Sequence, residues 1–418
     1  MFRRLFHPRD AFFIFLSMEG AVAFSFSLIF TVNMVYQVTV VELNPLQLVL
    51  VGTLLESTIF LFEIPTGIVA DVYSRRLSII TGYLLIGLGF ITESSIARFE
   101  AVLLAQVLWG LGYTFTSGAT QAWIADEVGE ERAGNAFMRG AQIGAIGGLI
   151  AIPISVGLAS LNVRLPILLG GLLFMLSGLR LLLIMPEKGF KPVPAEERES
   201  WRTMIHTFRA GLRVVRGRTV LMSFVGISIF FGLYSEGMDR LWTAHLLTNF
   251  TLPSPGGLKP VTWFGIIGAT GMLLSIISTE IARRRLNSAN PRHIVRVLFV
   301  LSGLMVTSII AFGLAPRFGI ALAAFLMFGM LRSTSGPIFT AWINPHIESS
   351  VRATVFSMTS QVDAISQVVG GPGLGFIGTR FSIRAAIVCS GIVLSPVLLL
   401  YTFVLRRIKL LPIPGEKA

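Results

Sequence analysis

Gly67-Ile-Val-Ala-Asp71-Val-Tyr-Ser-Arg75-Arg76 places an acid four and five residues ahead of paired arginines, between two long apolar runs. A weaker copy lies half a chain later, where Glu280-Ile-Ala-Arg-Arg284-Arg285 is again followed by a leucine. Charges at this spacing can pair with one another or grip carbonyls at a helix end. Their recurrence predicts a duplicated membrane unit, the plan by which paired halves build a central site.

A second set of charges falls inside apolar runs, where each is costly and by default faces a cavity or a partner. Glu19 is expected about 12 Å into the first run, and Glu63 about 12 Å from the inner end of the second, at a rise of ~1.5 Å per residue. Glu56 lies seven residues before Glu63 and shares its face. Acids near one depth suit a proton carrier, and each could equally be a hydrogen-bonded packing residue. Pro65 frees backbone carbonyls close by.

Arg332 and Asp363 both fall about 15 Å from the inner surface on the same rise. They predict an ion pair that either holds an anionic substrate or only knits two helices together. Glu236, Asp239 and Arg240, at spacings of three and four, fall on adjoining faces. They read as an outer gate or as a solvated helix end. His245 beyond them is isolated, and no cluster has metal-ligand spacing, so no metal is expected.

The elements that must carry these residues are helical and membrane-spanning. Apolar residues make up 53% of the 418-residue chain and charged residues only 13%, about half the usual soluble share. The mean hydropathy is +0.76. The 42 glycines suit close helix packing in lipid, and the 32 phenylalanines suit a lipid-facing surface. Cys389, the single cysteine, has no internal partner for a disulfide. The net charge of +12 reads as a basic cytoplasmic face rather than a nucleic-acid surface.

Apolar stretches long enough to cross the hydrocarbon core are expected at 11–38, 47–70, 77–97, 100–124, 135–160 and 165–185. They resume at 219–247, 261–281, 293–315, 318–342, 353–378 and 384–405. The fold class is therefore an all-α membrane protein of twelve transmembrane helices in two six-helix halves related by pseudo-two-fold symmetry. The expected domains are an N-terminal bundle at 1–185, a cytoplasmic linker at 186–218, and a C-terminal bundle with a short tail at 219–418. The basic N-terminus is followed by a run too long for a signal-peptide core.

With both termini inside, the inner segments hold Arg3, Arg4, Arg9, Arg75, Arg76, Arg132, Arg139, the cluster from Lys188 to Arg218, Arg283 to Arg285, Arg292, Arg296, Arg406, Arg407, Lys409 and Lys417. The outer segments hold only Arg98, Arg164, Lys259, Arg317, Arg380 and Arg384, which supports that orientation. In the linker, acids at Glu196, Glu197 and Glu199 precede a segment with Trp201, Ile205, Phe208 and Leu212 on one helical face. Arg202, Arg209, Arg213 and Arg216 fall mostly on another, the pattern of an amphipathic helix on the inner leaflet.

The repeat extends further: Gln121-Ala-Trp123 matches Thr340-Ala-Trp342, and Arg132-Ala133 matches Arg352-Ala353. On these features the chain resembles the major facilitator superfamily, and in particular its bacterial members. That family has twelve helices in two halves and a loop motif Gly-x-x-x-Asp-(Arg/Lys)-x-Gly-Arg-(Arg/Lys). Gly67, Asp71, Arg75 and Arg76 match it, while Val72 and Ser74 depart. The resemblance implies that Gly67, Asp71, Arg75 and Arg76, with Glu280, Arg284 and Arg285, form a cytoplasmic gate. Asp71 would lie at a helix N-terminus of the opposite half, and the arginines would grip acids or carbonyls.

Other family motifs are incomplete. The fourth helix often carries Arg-x-x-x-Gly tied to proton coupling; here the stretch is Gln106-Val-Leu-Trp-Gly110. The antiporter stretch of the fifth helix survives only as Gly140, Gly144, Gly147 and Gly148, while Gly370-Gly-Pro372-Gly lies in the other half. No phosphate-binding loop or nucleophile elbow appears, so enzyme activity is not expected. Asn249-Phe-Thr251 matches a glycosylation acceptor by chance.

The resemblance implies an inner-membrane secondary transporter with a small-molecule substrate, working by alternating access without a cofactor, as a monomer in the bilayer. Proton-coupled efflux of a hydrophobic or amphipathic compound is the leading subtype. Uptake of a small organic solute is the alternative, for which Gln106, Gln121, Asn33, Gln142, Arg332 and Gln361 could supply polar groups. A non-transporting receptor or scaffold is a third class.

Overall fold

Long apolar runs closed by polar caps fold as helices, because lipid offers no partner for an open backbone. The computed structural model describes residues 10–192, 194, 200–216, 219–257, 259–286, 290–344 and 352–408. Arg3, Arg4, Arg9, Glu196, Glu197, Arg198, Glu199, Arg218, Lys409 and Lys417 lie outside the described residues, as do the side chains of Arg352 and Ala353.

Up to the linker the helices are α1 (Ala11–Phe30), α2 (Asn33–Thr39), α3 (Pro45–Val72), α4 (Arg75–Ser95), α5 (Phe99–Thr116), α6 (Ala119–Val128), α7 (Glu130–Leu161) and α8 (Arg164–Ile184). The linker holds α9 (Trp201–Val215). The rest comprises α10 (Thr219–Asn249), α11 (Pro260–Arg285), α12 (Pro291–Leu314), α13 (Phe318–Ile343), α14 (Arg352–Arg380), α15 (Ile383–Leu394) and α16 (Pro396–Ile408). Among the described residues, 10 helical stretches are long and apolar enough to cross a membrane, with α1–α2 and α15–α16 each counting as one; the expected spans 100–124 and 353–378 are not among them.

Three expected spans are not continuous. Span 11–38 divides at Thr31, whose hydroxyl turns back to the Ser27 carbonyl at 2.6 Å. Span 100–124 divides at Gly118, whose φ of 69° is open to glycine and strained for other residues. Span 384–405 divides at Ser395, ahead of Pro396, which has no N–H to continue the ladder. Clear caps set other boundaries. Asp10 accepts from the Phe12 amide at 3.0 Å, Asn290 from His293 at 3.2 Å, and Ser382 from Ala385 at 3.1 Å. Each holds an amide that the helix itself leaves unpaired.

The chain forms two compact units. The first is Met1–Leu43, Leu54–Thr203 and Pro253–Gly268; the second is Asn44–Thr53, Met204–Leu252 and Ala269–Ala418. The first turns of α3 thus count with the second unit, where the Leu46 amide donates to Thr379 Oγ1 at 2.9 Å. The first turns of α11 count with the first unit, where Lys259 donates to the Ser160 carbonyl.

In the first unit α1 packs on α7 and α8, and α4 on α5 and α8. Gly82 and Gly112 let α4 and α5 touch: a Cβ on either would stand 2.6 Å from the other's carbonyl oxygen. Tyr36, Tyr83, Phe90, Trp123 and Phe174 fill the core behind them. In the second unit α10 packs on α14, α15 and α16, and α12 on α13 and α15. Tyr234, Phe224, Phe312, Trp342 and Tyr401 are fully buried there. Counting each broken pair as one element, most neighbour pairs of one unit recur in the other, while the packing of α6 on α7 has no counterpart between α13 and α14 among the described residues.

Candidate functional site

The second unit carries an open cavity of about 440 Å³ between α10, α13 and α14. Phe231, Phe339 and Phe356 give it aromatic walls, and Ser228, Ser335, Thr359 and Ser360 give it hydroxyls. Its charged lining residues are Arg332 and Asp363. The sequence placed both here and paired them with each other. The structure pairs Arg332 with Asp239 of α10 instead. Arg332 Nη2 meets Asp239 Oδ2 at 2.9 Å and Nη1 meets Oδ1, a two-bond fork. The rings of Tyr234 and Phe328 flank the guanidinium at 5.9 and 5.8 Å, adding cation–π attraction. Asp363 accepts from Gln367, one turn on, at 2.8 Å.

Of the three residues expected as an outer gate, Glu236 and Arg240 stay together and Asp239 turns to Arg332. Asp239 belongs to the cavity's charge pair. Glu236 is 4% exposed and takes Arg240 Nε at 3.3 Å within α10. Gly52, in the second unit's part of α3, lies so near that a Cβ there would stand 2.0 Å from Glu236 Oε2. A solvated helix end does not describe Glu236. His245 is buried, with Nε2 3.0 Å from the Phe312 carbonyl and Nδ1 3.2 Å from Asn249. Asn249 also accepts from Arg384 at 3.2 Å, so its amide is engaged in packing. Among the described residues, no group of three or more His, Cys, Asp or Glu could hold a metal.

The Asp71 motif lies at the turn between α3 and α4. Ser74 caps α4 by accepting from Leu77 at 2.9 Å. Glu187, just past α8, takes the Arg76 amide at 2.9 Å and the Ser74 hydroxyl at 2.6 Å. A carboxylate there meets the positive end of the α4 dipole. Arg75 pairs with Asp126 and donates to the Ala122 carbonyl at 3.0 Å, while Arg76 reaches the Leu182 carbonyl at 2.5 Å. These partners all belong to the first unit. Asp71 sits in the last turn of α3 and has no hydrogen-bond partner among the described residues. A Cβ at Gly67 would meet nothing within 4 Å.

The second copy is built differently. α11 runs unbroken through Glu280, which binds Arg283 at 2.7 Å and Arg284 at 2.5 Å within the helix. Arg283 occupies the place of Ser74, and an arginine supplies no cap to start a new helix. Arg285 lines an apolar cavity of about 540 Å³ with His293.

Glu19 is half-buried on α1 against α7, where a Cβ at Gly140 would stand 3.0 Å from its Cγ. It has no hydrogen-bond partner among the described residues. Glu63 is exposed and accepts from Ser117 at 3.3 Å, beside the break at Gly118. Glu56 is half-buried one face-repeat earlier on α3.

The Major Facilitator Superfamily model matches residues 12–371. The chain belongs to the major facilitator superfamily. An uncharacterized MFS-type transporter, YxaM of Bacillus subtilis (strain 168), is 25% identical over 400 residues, covering 94% of this chain and 95% of that one. The fold is similar to the nucleoside transporter NupG, with a TM-score of 0.73 at 14% identity, over 96% of this chain and 100% of that one. It is equally similar to an inward-facing bacterial homologue of the lysosomal transporter Spinster, with a TM-score of 0.73 at 14% identity over 96% and 97%. The protein is a multi-pass membrane transporter of this superfamily.

One departure from the superfamily's pattern now has a structural setting. Gln106, where the fourth helix often has arginine, is 1% exposed and reaches Glu93 Oε2 at 3.5 Å. Glu93 is 0% exposed in the last turn of α4. Asn33 and Gln37, one turn apart on α2, donate to its Oε1 at 2.9 and 2.8 Å. Tyr36 donates to its backbone carbonyl at 2.6 Å. Sequence reasoning named Asn33 and Gln106 but missed Glu93 and Gln37. Thr92-Glu93-Ser94-Ser95 reads as a wet helix end, and only the fold buries it.

Proposed function

We propose that this transporter moves a small hydrophobic or amphipathic compound outward against protons, by alternating access of two six-helix halves. In this reading twelve helical stretches cross the bacterial inner membrane, with α1–α2, α5–α6 and α15–α16 each counting once. The halves are related by a pseudo-two-fold axis, and both termini are cytoplasmic. The helix neighbour pairs that recur in both units support the repeat, and the excess of arginine in the inner segments supports the orientation. The cavity of the second unit carries the reading. Its aromatic walls suit an apolar body, and its hydroxyls and charges suit a polar end.

The Arg75 and Arg76 turn serves as an inner gate in this scheme, with Asp71 as the acid that acts when the halves meet. Glu19 is the better candidate for the coupling proton. It is half-buried without a hydrogen-bond partner among the described residues, whereas Glu63 is exposed and bonded to Ser117. Purified protein in proteoliposomes with an imposed pH gradient tests this. Glu19→Gln is expected to abolish gradient-driven transport while the protein still binds its substrate. Full proton-driven transport by both Glu19→Gln and Glu63→Gln would exclude the coupling role. Uptake of a small polar solute is the second reading, favoured by the hydroxyl row Ser228, Ser335, Thr359 and Ser360. Accumulation inside right-side-out vesicles would select it.

A further inference from the structure

The cavity's charges do not balance. Arg332 and Asp363 are its charged lining residues, and they are not paired. Arg332 is already held by Asp239 through both nitrogens of its fork, and the two flanking rings fix the guanidinium in place. Glu236 and Arg240, beside them on α10, form a second pair. Two acids and two arginines thus close into two neutral pairs, which leaves Asp363. Its hydrogen-bond partner is the neutral amide of Gln367; among the described residues it forms no salt bridge, and the cation that acts on it across the cavity, Arg332, is already bonded to Asp239.

We propose that the cavity binds a small organic cation, with Asp363 as the counter-charge and Phe231, Phe339 and Phe356 as the walls for its apolar body. A carboxylate in low-dielectric surroundings gains far more from a cation than it would in water. Aromatic faces add attraction for an ammonium or a delocalised onium centre. An anion would meet the charge of Asp363 and find Arg332 engaged, so the fork to Asp239 works against the anionic substrate that a lone arginine would invite. The inference rests on the transport reading for its physiological meaning, while its binding claim can be tested alone.

Tetraphenylphosphonium and tetraphenylborate share size and shape and differ in the sign of their charge. Titration calorimetry of the purified full chain in lipid nanodiscs should give saturable binding of the phosphonium and none of the borate. Asp363→Asn should weaken phosphonium binding by at least about tenfold, the loss of roughly 1.4 kcal/mol, while Asp363→Glu restores most of it. Asp239→Asn, which frees the guanidinium of Arg332, should weaken the phosphonium and admit the borate, and it serves should Asp363→Asn fail to fold. Saturable borate binding to the wild type at equal or greater affinity would overturn the proposal, as would unchanged phosphonium affinity in folded Asp363→Asn or, should that variant not fold, in Asp239→Asn. Proteoliposome flux separates the two readings. Asp363-dependent phosphonium binding without movement would sink the transport reading and leave the cation site. Movement of an uncharged compound by a protein that does not bind the phosphonium would do the reverse.

Discussion

Glu93 and Asp239 show how a charge inside a membrane helix is made tolerable by partners on other helices. Three amides from α2 and α5 converge on the carboxyl of Glu93. Replacing it with an apolar side chain of similar size strands the amides of Asn33 and Gln106 in a buried site and leaves Gln37 only its bond to Asn33 Oδ1 at 3.0 Å. Each stranded group costs about 1–3 kcal/mol. Glu93→Leu should therefore lower the melting temperature of the purified protein well below that of Glu93→Gln, which keeps an acceptor in place. Equal melting temperatures would show that the amides do not depend on Glu93. Neither partnership could be read from spacing. Asp239 looked tied to Glu236 and Arg240 because they share one helix, yet its fork runs to Arg332 on α13. A linear pattern exposes partners three or four residues apart and hides those a tertiary contact supplies.

Elements follow the same division between local and distant causes. Helix existence was legible throughout, because twenty apolar residues in a row leave the backbone few alternatives. The breaks were partly written in the chain: Gly118 and Pro396 are residues that stop a helix for local reasons. The two motif copies show why similar sequences need not fold alike. Ser74 starts α4, whereas Arg283 lets α11 run on to Arg285. Glu187, invisible as a partner in sequence, holds the first turn of α4 to the start of the linker. Glu187→Ala should cost about 1 kcal/mol, in the range of a lost helix cap. It should also speed protease cleavage in the segment after α8. Unchanged cleavage and stability would mean that Ser74 alone secures the helix.

At the scale of the whole molecule, the superfamily was legible from the motif around Asp71 and from the succession of long apolar runs. The substrate was not, because cavity chemistry depends on which charges cancel. Arg332 and Asp363 read as a pair in sequence, and only the Asp239 contact reveals that one of them is spent. The central claim is that transport runs through the cavity of the second unit. Gly336 lines that cavity, and a Cβ there would meet no atom within 4 Å, so a side chain placed there starts into open space. The decisive measurement is flux, in proteoliposomes under a pH gradient, of a compound that the wild-type protein moves, compared with Gly336→Trp at matched melting temperature. The account predicts that flux in the variant falls to that of protein-free vesicles; flux at the wild-type rate through a folded Gly336→Trp protein would contradict it.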